Sequence, residues 1–211
     1  IRLVGGVKDH GEGYDGGVTY RIERVGIPSL KLANGPLGVR RRPDRATGFP
    51  ATIALAASWD PELAYRMGTA LGREARVRGI HLLLAPGVNL YRSPLCGRNF
   101  EYLGEDPCLA AAMVVGFIRG CQDQGVSATV KHFALNFQEY DRHHVSSDVD
   151  ERTLHEVYLP AFRAAVEQAG VGAVMTAYNR VNSVHCAEHD YLINTVLKGR
   201  WGFQGLVMSD W

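Results

Sequence analysis

The chain of 211 residues lacks three features that would place it in a special class of protein. No uninterrupted apolar run approaches the roughly 20 residues needed to span a bilayer, so we expect no membrane partner. Lysine and arginine (23) balance aspartate and glutamate (22), and a net charge of +1 gives no electrostatic footprint for nucleic acid. The four cysteines have no Cys-x-x-Cys spacing, so we expect reduced thiols.

Signatures of metal ions and nucleotide cofactors are missing as well. Neither His-Glu-x-x-His nor His-x-His occurs, and the adjacent side chains of His143 and His144 are poorly spaced to share one ion. No Gly-x-Gly-x-x-Gly fingerprint follows the first predicted strand, at 28–33. The sequence therefore predicts no metal and no cofactor.

A repeating order of strand, loop and helix is the main pattern that is present. Predicted helices begin at aspartates that can cap them, twice with proline next: Asp60-Pro61, Asp106-Pro107 and Asp150. Apolar runs predict strands at 28–33, 80–85, 126–133, 171–178 and 205–209. Within the third helix Pro160 predicts a kink, and a further helix is expected at 189–198. This alternation favours parallel βα units in an α/β fold.

Between a doubly wound sheet and a (β/α)8 TIM-like barrel, the polar residues at several strand ends favour the barrel. Such a barrel takes about 250 residues, so we expect residues 1–211 to form one barrel domain that is incomplete in this chain and ends at a late strand. The start at Ile1, without an initiator methionine, suggests that both ends are cut. No secretory leader is visible, which favours a cytoplasmic location slightly and leaves export open.

Ionisable side chains follow several predicted strands at their carboxyl ends, where barrel enzymes carry catalytic groups. Asp210 comes directly after the apolar residues Leu206–Met208, and an ionised carboxylate beside a core strand is costly unless it is paired or used. Lys131 and His132 lie at the end of the predicted strand 126–133, and Tyr178 ends the next predicted strand, 171–178. A plainer interpretation remains open, in which Asp210 caps a helix and the others are ordinary surface or core residues.

Seven stretches share their order and spacing with a known family. They are ANGPLGVR (33–40), FPATIALAASWDPELA (49–64), APGVNLYRSPLCGRNFEYLGEDP (85–107), VKHFALN (130–136), SSDVDERTLHEVYLPAF (146–162), MTAYNRVN (175–182) and LKGRWGFQGLVMSDW (197–211). On these stretches the chain resembles the N-terminal barrel domain of the family 3 glycoside hydrolases, the β-glucosidase and β-xylosidase group. The resemblance implies a retaining β-glycosidase, most simply a β-glucosidase, acting on a β-glucoside or a short β-linked oligosaccharide.

The resemblance also implies roles for particular residues. Asp210 matches the catalytic nucleophile, which forms a covalent glycosyl-enzyme. The residues that match the family's substrate-binding side chains are Asn34, Arg40, Arg98, Lys131, His132, Arg142, Met175, Tyr178 and Trp211. Fixed lysine and arginine donors suit a sugar, which presents hydroxyl groups in every direction.

Departures from the family pattern bear on activity. Asn34 stands where the family usually has an aspartate that binds hydroxyls at the far end of the sugar, so Asn34→Asp is expected to tighten binding by about 1 kcal/mol. Phe137 and Ser183 replace a common asparagine and a common glycine. The general acid/base of the β-glucosidase branch comes from an α/β sandwich domain after the barrel, which is expected but absent from these residues. The Pro-Gly-His-Gly sequence that carries the proton donor in the N-acetylglucosaminidase branch does not follow Lys131-His132-Phe133.

Several alternatives remain open at this point. A β-xylosidase of the same family is one, and a non-catalytic sugar-binding barrel would account for Asn34 and the missing acid. A third class is an aldolase-like lyase in which Lys131, at a strand end, forms a Schiff base. The expected partners are the missing C-terminal part of the same protein and, for the whole protein, a possible homo-oligomer.

Overall fold

The structure is a computed structural model that describes residues 6–7, 13–41 and 45–211. Its strands are β1 (Gly6–Val7), β2 (Val18–Thr19), β3 (Leu32–Asn34), β4 (Leu82–Leu84), β5 (Ser127–Phe133), β6 (Ser146–Ser147), β7 (Ala173–Thr176), β8 (Arg180–Val181), β9 (Val184–His185) and β10 (Leu206–Met208). Its α-helices are α1 (Thr52–Ala56), α2 (Pro61–Val77), α3 (Pro107–Gln122), α4 (Glu151–Thr153) and α5 (Pro160–Glu167). Short 3-10 turns span Glu23–Val25, Asn99–Glu101 and Cys186–Glu188, and π-helical segments span Leu154–Tyr158 and Tyr191–Arg200.

Five of these strands form one parallel sheet in the order β10, β7, β5, β4 and β3. Two shorter sheets accompany it, an antiparallel pair of β1 with β2 and a three-stranded sheet of β6, β8 and β9. Consecutive parallel strands need a crossover, which the helical segments between them supply. The predicted parallel βα units are therefore confirmed. Since the five strands run in one direction, their carboxyl ends share one edge of the sheet.

Both faces of the parallel sheet are buried. Leu83, Val130 and Val174 belong to the large apolar cluster that the sheet shares with the helices. Their strand neighbours Leu82 and Met175 belong to a second, smaller cluster on the opposite face. Alternate side chains of a strand point to opposite faces, so the short apolar strands are covered on both sides. A parallel sheet filled with side chains on its second face is typical of a barrel interior.

The helix starts predicted from aspartate followed by proline are confirmed. Asp60 Oδ1 and Asp106 Oδ1 each accept two hydrogen bonds from backbone N–H groups of the first turn, at 2.7–3.0 Å. The helices α2 and α3 that they begin pack very closely. A Cβ atom added at Gly68 would lie 2.1 Å from the carbonyl oxygen of Phe117, so this contact requires glycine.

The third predicted helix is interrupted, as Pro160 indicates. Asp150 caps α4, the residues Leu154–Tyr158 are π-helical, and α5 begins at Pro160. Proline has no N–H and its ring clashes with the preceding turn, so the regular hydrogen-bond ladder cannot run through it. The helix expected at 189–198 is present as the π-helical segment Tyr191–Arg200.

Strand bounds differ from the prediction at the first strand. The sequence places it at 28–33, whereas the parallel ladder contains only Leu32–Asn34. The residues before it pair with β2 instead, because Thr19 N donates to Leu30 O at 2.8 Å and Leu30 N donates to Thr19 Oγ1 at 2.8 Å. Residues 16–19 therefore lie antiparallel alongside residues 30–32.

Candidate active site

A cavity of about 350 Å³ lies at the carboxyl ends of the parallel strands. Its walls are formed by Asp15, Asn34, Leu84, Arg98, Lys131, His132, Arg142, Met175, Tyr178, Asp210 and Trp211. Residues from all five parallel strands or the loops after them meet here, because those strands end at one edge. The volume is within the ~300–1,000 Å³ range of small-molecule sites.

Asp210 follows β10 and presents one unsatisfied carboxylate oxygen. Its Oδ1 accepts a hydrogen bond from the backbone N–H of Trp211 at 2.8 Å. Its Oδ2 is buried and accepts no hydrogen bond from any residue that the structure describes. His132 Nε2 lies 3.6 Å and Arg98 Nη1 lies 4.0 Å from that oxygen. A buried carboxylate oxygen without a hydrogen-bond partner is costly for a purely structural residue, which makes Asp210 a candidate functional residue.

Lys131 and His132 are adjacent in β5, yet both line the cavity. In a regular strand, neighbouring side chains point to opposite faces. The pairing of β5 with β7 shifts register between Val130 and Phe133, and this irregularity includes both residues. The structure therefore accounts for two consecutive polar side chains at one site, which a regular strand would separate.

Arg98, Glu101 and Lys131 form a buried group of charges beside the cavity. The 3-10 turn Asn99–Glu101 brings the Glu101 carboxylate back onto Arg98, whose Nε donates to Oε1. Lys131 Nζ lies 3.5 Å from Glu101 Oε2, and these side chains are only 4% and 6% exposed. Burial by itself would raise the pKa of Glu101, but the charges of Lys131 and Arg98 outweigh burial and the pKa is lowered. Burial also lowers the pKa of Lys131, a shift that Glu101 opposes.

His132 is a buried, neutral imidazole. Asn89 fixes its backbone by accepting from His132 N at 2.8 Å and donating to His132 O at 2.9 Å. Its Nδ1 lies 3.2 Å from the hydroxyl of Tyr102. Burial, and after it the positive charges of Lys131, Arg98 and other cations, holds the pKa of His132 well below its ordinary value. A neutral ring can bind a hydroxyl group without adding another positive charge to the site.

Arg142 and Tyr178 form another wall. Arg142 Nη1 donates to Glu139 Oε2 at 2.6 Å, and its guanidinium carbon lies 4.4 Å from the centre of the Tyr178 ring. The ring of His143 packs edge-on against the same tyrosine, with centroids 4.6 Å apart. Burial raises the pKa of Tyr178 to about 12, and the charge of Asp210 acts in the same direction. The Tyr178 hydroxyl is thus a neutral hydrogen-bond donor beside Asp210.

Nine of the ten residues predicted for the site line this cavity. Arg40, the tenth, lines an adjoining cavity of about 640 Å³, to which Asn34, Arg98 and Lys131 also contribute. Its side chain is 73% exposed, and Nη1 lies 3.8 Å from Asp15 Oδ2. The structure thus places the ten residues together, and their roles in binding and catalysis stay predictions.

Two acidic residues of the site have no role in the prediction from sequence. Asp15 lines both cavities, and no motif includes it. Glu101 lies in a recognised stretch, but nothing in the sequence pairs it with Lys131, 30 positions away. A sequence signal for Glu101 exists only in its spacing of three residues from Arg98, which suits a turn or helix.

In the part of the chain that the structure describes, no three or more histidine, cysteine, aspartate or glutamate side chains are grouped to hold a metal ion. His143 packs against Tyr178, and His144 Nδ1 lies 2.7 Å from Asp141 Oδ1. Among the same described residues, no helix combines the length and apolar character needed to cross a membrane.

Comparison with known proteins decides the family. The model of the glycosyl hydrolase family 3 N terminal domain matches residues 16–211. The chain belongs to glycosyl hydrolase family 3. A beta-glucosidase of Rhizobium radiobacter is 52% identical over 204 residues, which cover 94% of this chain and 25% of that relative. An exo-alpha-(1->6)-L-arabinopyranosidase of Bifidobacterium longum is 41% identical over 202 residues, which cover 90% of this chain and 27% of that relative.

A solved structure of the family gives the fold. Beta-glucosidase 3B from Thermotoga neapolitana in complex with glucose matches with a TM-score of 0.94 and 44% identity, over 100% of this chain and 32% of that chain. The family 3 N-terminal domain has a TIM-barrel-like α/β fold, so the predicted fold class is confirmed. The described residues contribute five parallel strands to it. The chain spans about a quarter of the length of the curated relatives described above.

Proposed function

We propose that the protein containing this family 3 domain is a retaining β-glycosidase whose substrates are β-glucosides. The observation that carries the proposal is Oδ2 of Asp210, a buried oxygen without a hydrogen-bond donor among the described residues, on the wall of a cavity rich in fixed donors. An ionised carboxylate in this position is the group that a retaining glycosidase uses as nucleophile.

The reaction follows from this placement. Asp210 Oδ2 attacks the anomeric carbon, the bond from that carbon to the aglycone oxygen breaks, and the aglycone leaves with a proton from a general acid. The same group, now deprotonated, takes a proton from a water molecule, which attacks the same carbon of the glycosyl ester, releases the Asp210 carboxylate and gives a β-configured product. Oδ1 accepts a hydrogen bond from Trp211 N, which leaves Oδ2 as the attacking oxygen.

The remaining side chains bind and orient the sugar. Lys131, Arg98 and Arg142 offer charged donors, while Tyr178 offers a neutral one next to Asp210. Because Glu101 and Glu139 hold the cations in place, little reorganisation is needed when a sugar binds. Donors of this kind stabilise a distorted ring and the developing charges of the transition state.

The general acid/base is proposed to come from an α/β sandwich domain that follows the barrel in the same protein. None of the described carboxylates is assigned this role. Family membership favours glycoside hydrolysis over Schiff-base chemistry at Lys131. The solved structure of beta-glucosidase 3B from Thermotoga neapolitana is a complex with glucose, and this supports a β-glucoside as the substrate. Comparing kcat/KM for aryl β-glucoside, β-xyloside and α-L-arabinopyranoside decides between the sugars.

Product stereochemistry tests the proposal. The full-length protein is mixed with an aryl β-glucoside, and proton NMR follows the anomeric signals during the first minutes. We expect β-glucose to appear first and the α-anomer only later, by mutarotation, because two displacements at one carbon retain its configuration. Initial release of α-glucose would contradict the role of Asp210 as nucleophile, and no hydrolysis of any β-glycoside would contradict the enzyme assignment.

A further inference from the structure

We infer that Asp15 supplies the carboxylate that recognises the hydroxyls at the non-reducing end of the sugar, in place of the acid that position 34 lacks. The inference rests on the proposed function, and it names a specificity-determining residue outside the recognised stretches. Asp15 and Asn34 both line the candidate active site. Their side chains are in direct contact, with Asn34 Nδ2 donating to Asp15 Oδ2 at 2.7 Å.

The hydrogen bond fixes what each of the two side chains can still do. A carboxylate only accepts hydrogen bonds, so the amide nitrogen of Asn34 must face Asp15 and its carbonyl oxygen must face away. Asn34 is left with one neutral acceptor for a ligand. Asp15 makes this contact through Oδ2, so its second oxygen, Oδ1, is not used in binding Asn34. The charged acceptor of the pair is therefore on residue 15.

The residues that follow Asp15 are joined to β3 by backbone hydrogen bonds. Gly16 N donates to Leu32 O at 3.1 Å, and Leu32 N donates to Gly17 O at 2.9 Å. A Cβ atom on Gly16 would lie 2.8 Å from the backbone of Leu32, so only glycine permits this approach. Asp15 therefore directly precedes a backbone segment that is hydrogen-bonded to Leu32 of β3. Arg40 Nη1, 3.8 Å from Asp15 Oδ2, supports the same carboxylate from outside.

The position of Asp15 selects the end of the sugar that it meets. Asp15 and Asn34 lie at β3, on one edge of the five-stranded sheet, and Asp210 follows β10, on the other edge. With the anomeric carbon at Asp210, a pyranose filling the cavity between them points its 4-hydroxyl and 6-hydroxyl towards Asp15. A carboxylate accepting from hydroxyl groups binds more strongly than an amide does.

This arrangement reverses the expectation for Asn34→Asp. From the sequence alone that change restores a missing charge, but the structure already has a carboxylate 2.7 Å away. Two carboxylates at this distance repel, so one of them takes up a proton or the two move apart. We expect Asn34→Asp by itself to give no tighter binding. Combined with Asp15→Asn, which removes the repulsion, it moves the charge to position 34.

Deoxy substrates test the inference in the full-length protein. For an aryl β-glucoside, Asp15→Asn is expected to lower kcat/KM by about 10- to 100-fold, the loss for a charge-assisted hydrogen bond. With the 4-deoxy or the 6-deoxy analogue, whichever lacks the bound hydroxyl, wild type and variant should differ less than about threefold. The double variant Asp15→Asn/Asn34→Asp should recover at least about tenfold over Asp15→Asn.

Asp123→Asn is the matched control, because that exposed carboxylate accepts from the Tyr65 hydroxyl at 2.8 Å and does not line the cavity. Its kcat/KM should equal that of wild type. An equal loss with the glucoside and both deoxy analogues would show that Asp15 is only structural and would overturn the inference. A double variant no better than Asp15→Asn would also overturn it. If the protein hydrolyses no β-glucoside, the proposed function fails. The role of Asp15 can then still be tested by calorimetric titration, which compares the affinities of wild type and Asp15→Asn for glucose, 4-deoxyglucose and 6-deoxyglucose.

Discussion

Replacing Asp210 by alanine is expected to lower kcat for an aryl β-glucoside by roughly 10⁴-fold or more, because the substitution removes the proposed nucleophile. The variant should remain folded. The side chain that is lost contributes one backbone hydrogen bond, from Trp211 N, and its Oδ2 has no donor among the described residues. Circular dichroism should therefore match wild type while turnover disappears. Asp123→Ala, which removes an exposed carboxylate outside the cavity, should keep full activity.

Adding azide to Asp210→Ala distinguishes a variant that has lost only its nucleophile from one whose active site is disrupted. In Asp210→Ala the face of the sugar that the carboxylate attacks is open, and a small anion can take its place. With a dinitrophenyl β-glucoside, whose leaving group needs little help from an acid, we expect azide to restore part of the turnover. The product should be the α-glycosyl azide, since a single displacement inverts the anomeric carbon. A variant that keeps wild-type activity, or a β-glycosyl azide as product, would contradict the assignment.

Removing Glu101 is expected to have the largest effect on stability. Its buried carboxylate holds Arg98 and lies 3.5 Å from Lys131 Nζ, so Glu101→Ala leaves two buried cations without their partner. Breaking one member of a buried ion pair costs about 3–5 kcal/mol. Urea unfolding followed by tryptophan fluorescence should show a loss of that size. The exposed pair of Arg163 and Glu167, at 2.8 Å, provides the matched control, and Glu167→Ala should cost less than about 1 kcal/mol.

The dependence of the free energy of unfolding on pH below neutrality gives a second test of the role of Glu101. Burial raises the pKa of Glu101, but the charges of Lys131 and Arg98 lower it by more. The pKa therefore lies below its ordinary value of 4.5. A carboxyl group with a lowered pKa stabilises the folded state above the unfolded pKa, and this contribution is lost as pH falls below it. Wild type should therefore lose stability as pH falls below about 4.5, and Glu101→Gln should show a flatter dependence. Equal acid sensitivity of both would contradict an ionised Glu101.

The helix starts and the parallel strands could be predicted because their causes are local. Asp60 and Asp106 cap helices with their own side chains, and the following prolines suit the first turn. The π-helical turns were not predictable, since one extra residue per turn changes the apolar spacing little over a short segment. At Leu154–Tyr158, Pro160 marks the interruption without giving its form.

The site was predictable to the extent that its residues follow strands. Asp210 is conspicuous because a carboxylate directly after a core strand is costly without a function. Asp15 is different, since it lies 19 positions before Asn34 in a glycine-rich segment, and only the folded chain brings their side chains to 2.7 Å. The contact between Asn34 and Asp15 could not be predicted for the same reason. A local pattern shows that a carboxylate is missing at position 34 but not that another carboxylate lies beside it in space.

The covalent intermediate tests the central claim, that Asp210 is the nucleophile. A 2-fluoro glucoside with a good leaving group should inactivate the full-length protein with time, because the fluorine slows hydrolysis of the glycosyl ester more than its formation. Peptide mapping by mass spectrometry should then place one 2-fluoroglucosyl group on the peptide that contains Asp210, and Asp210→Ala should take up none. A label on Glu139, Asp141 or any other carboxylate would contradict the assignment, even with the family established.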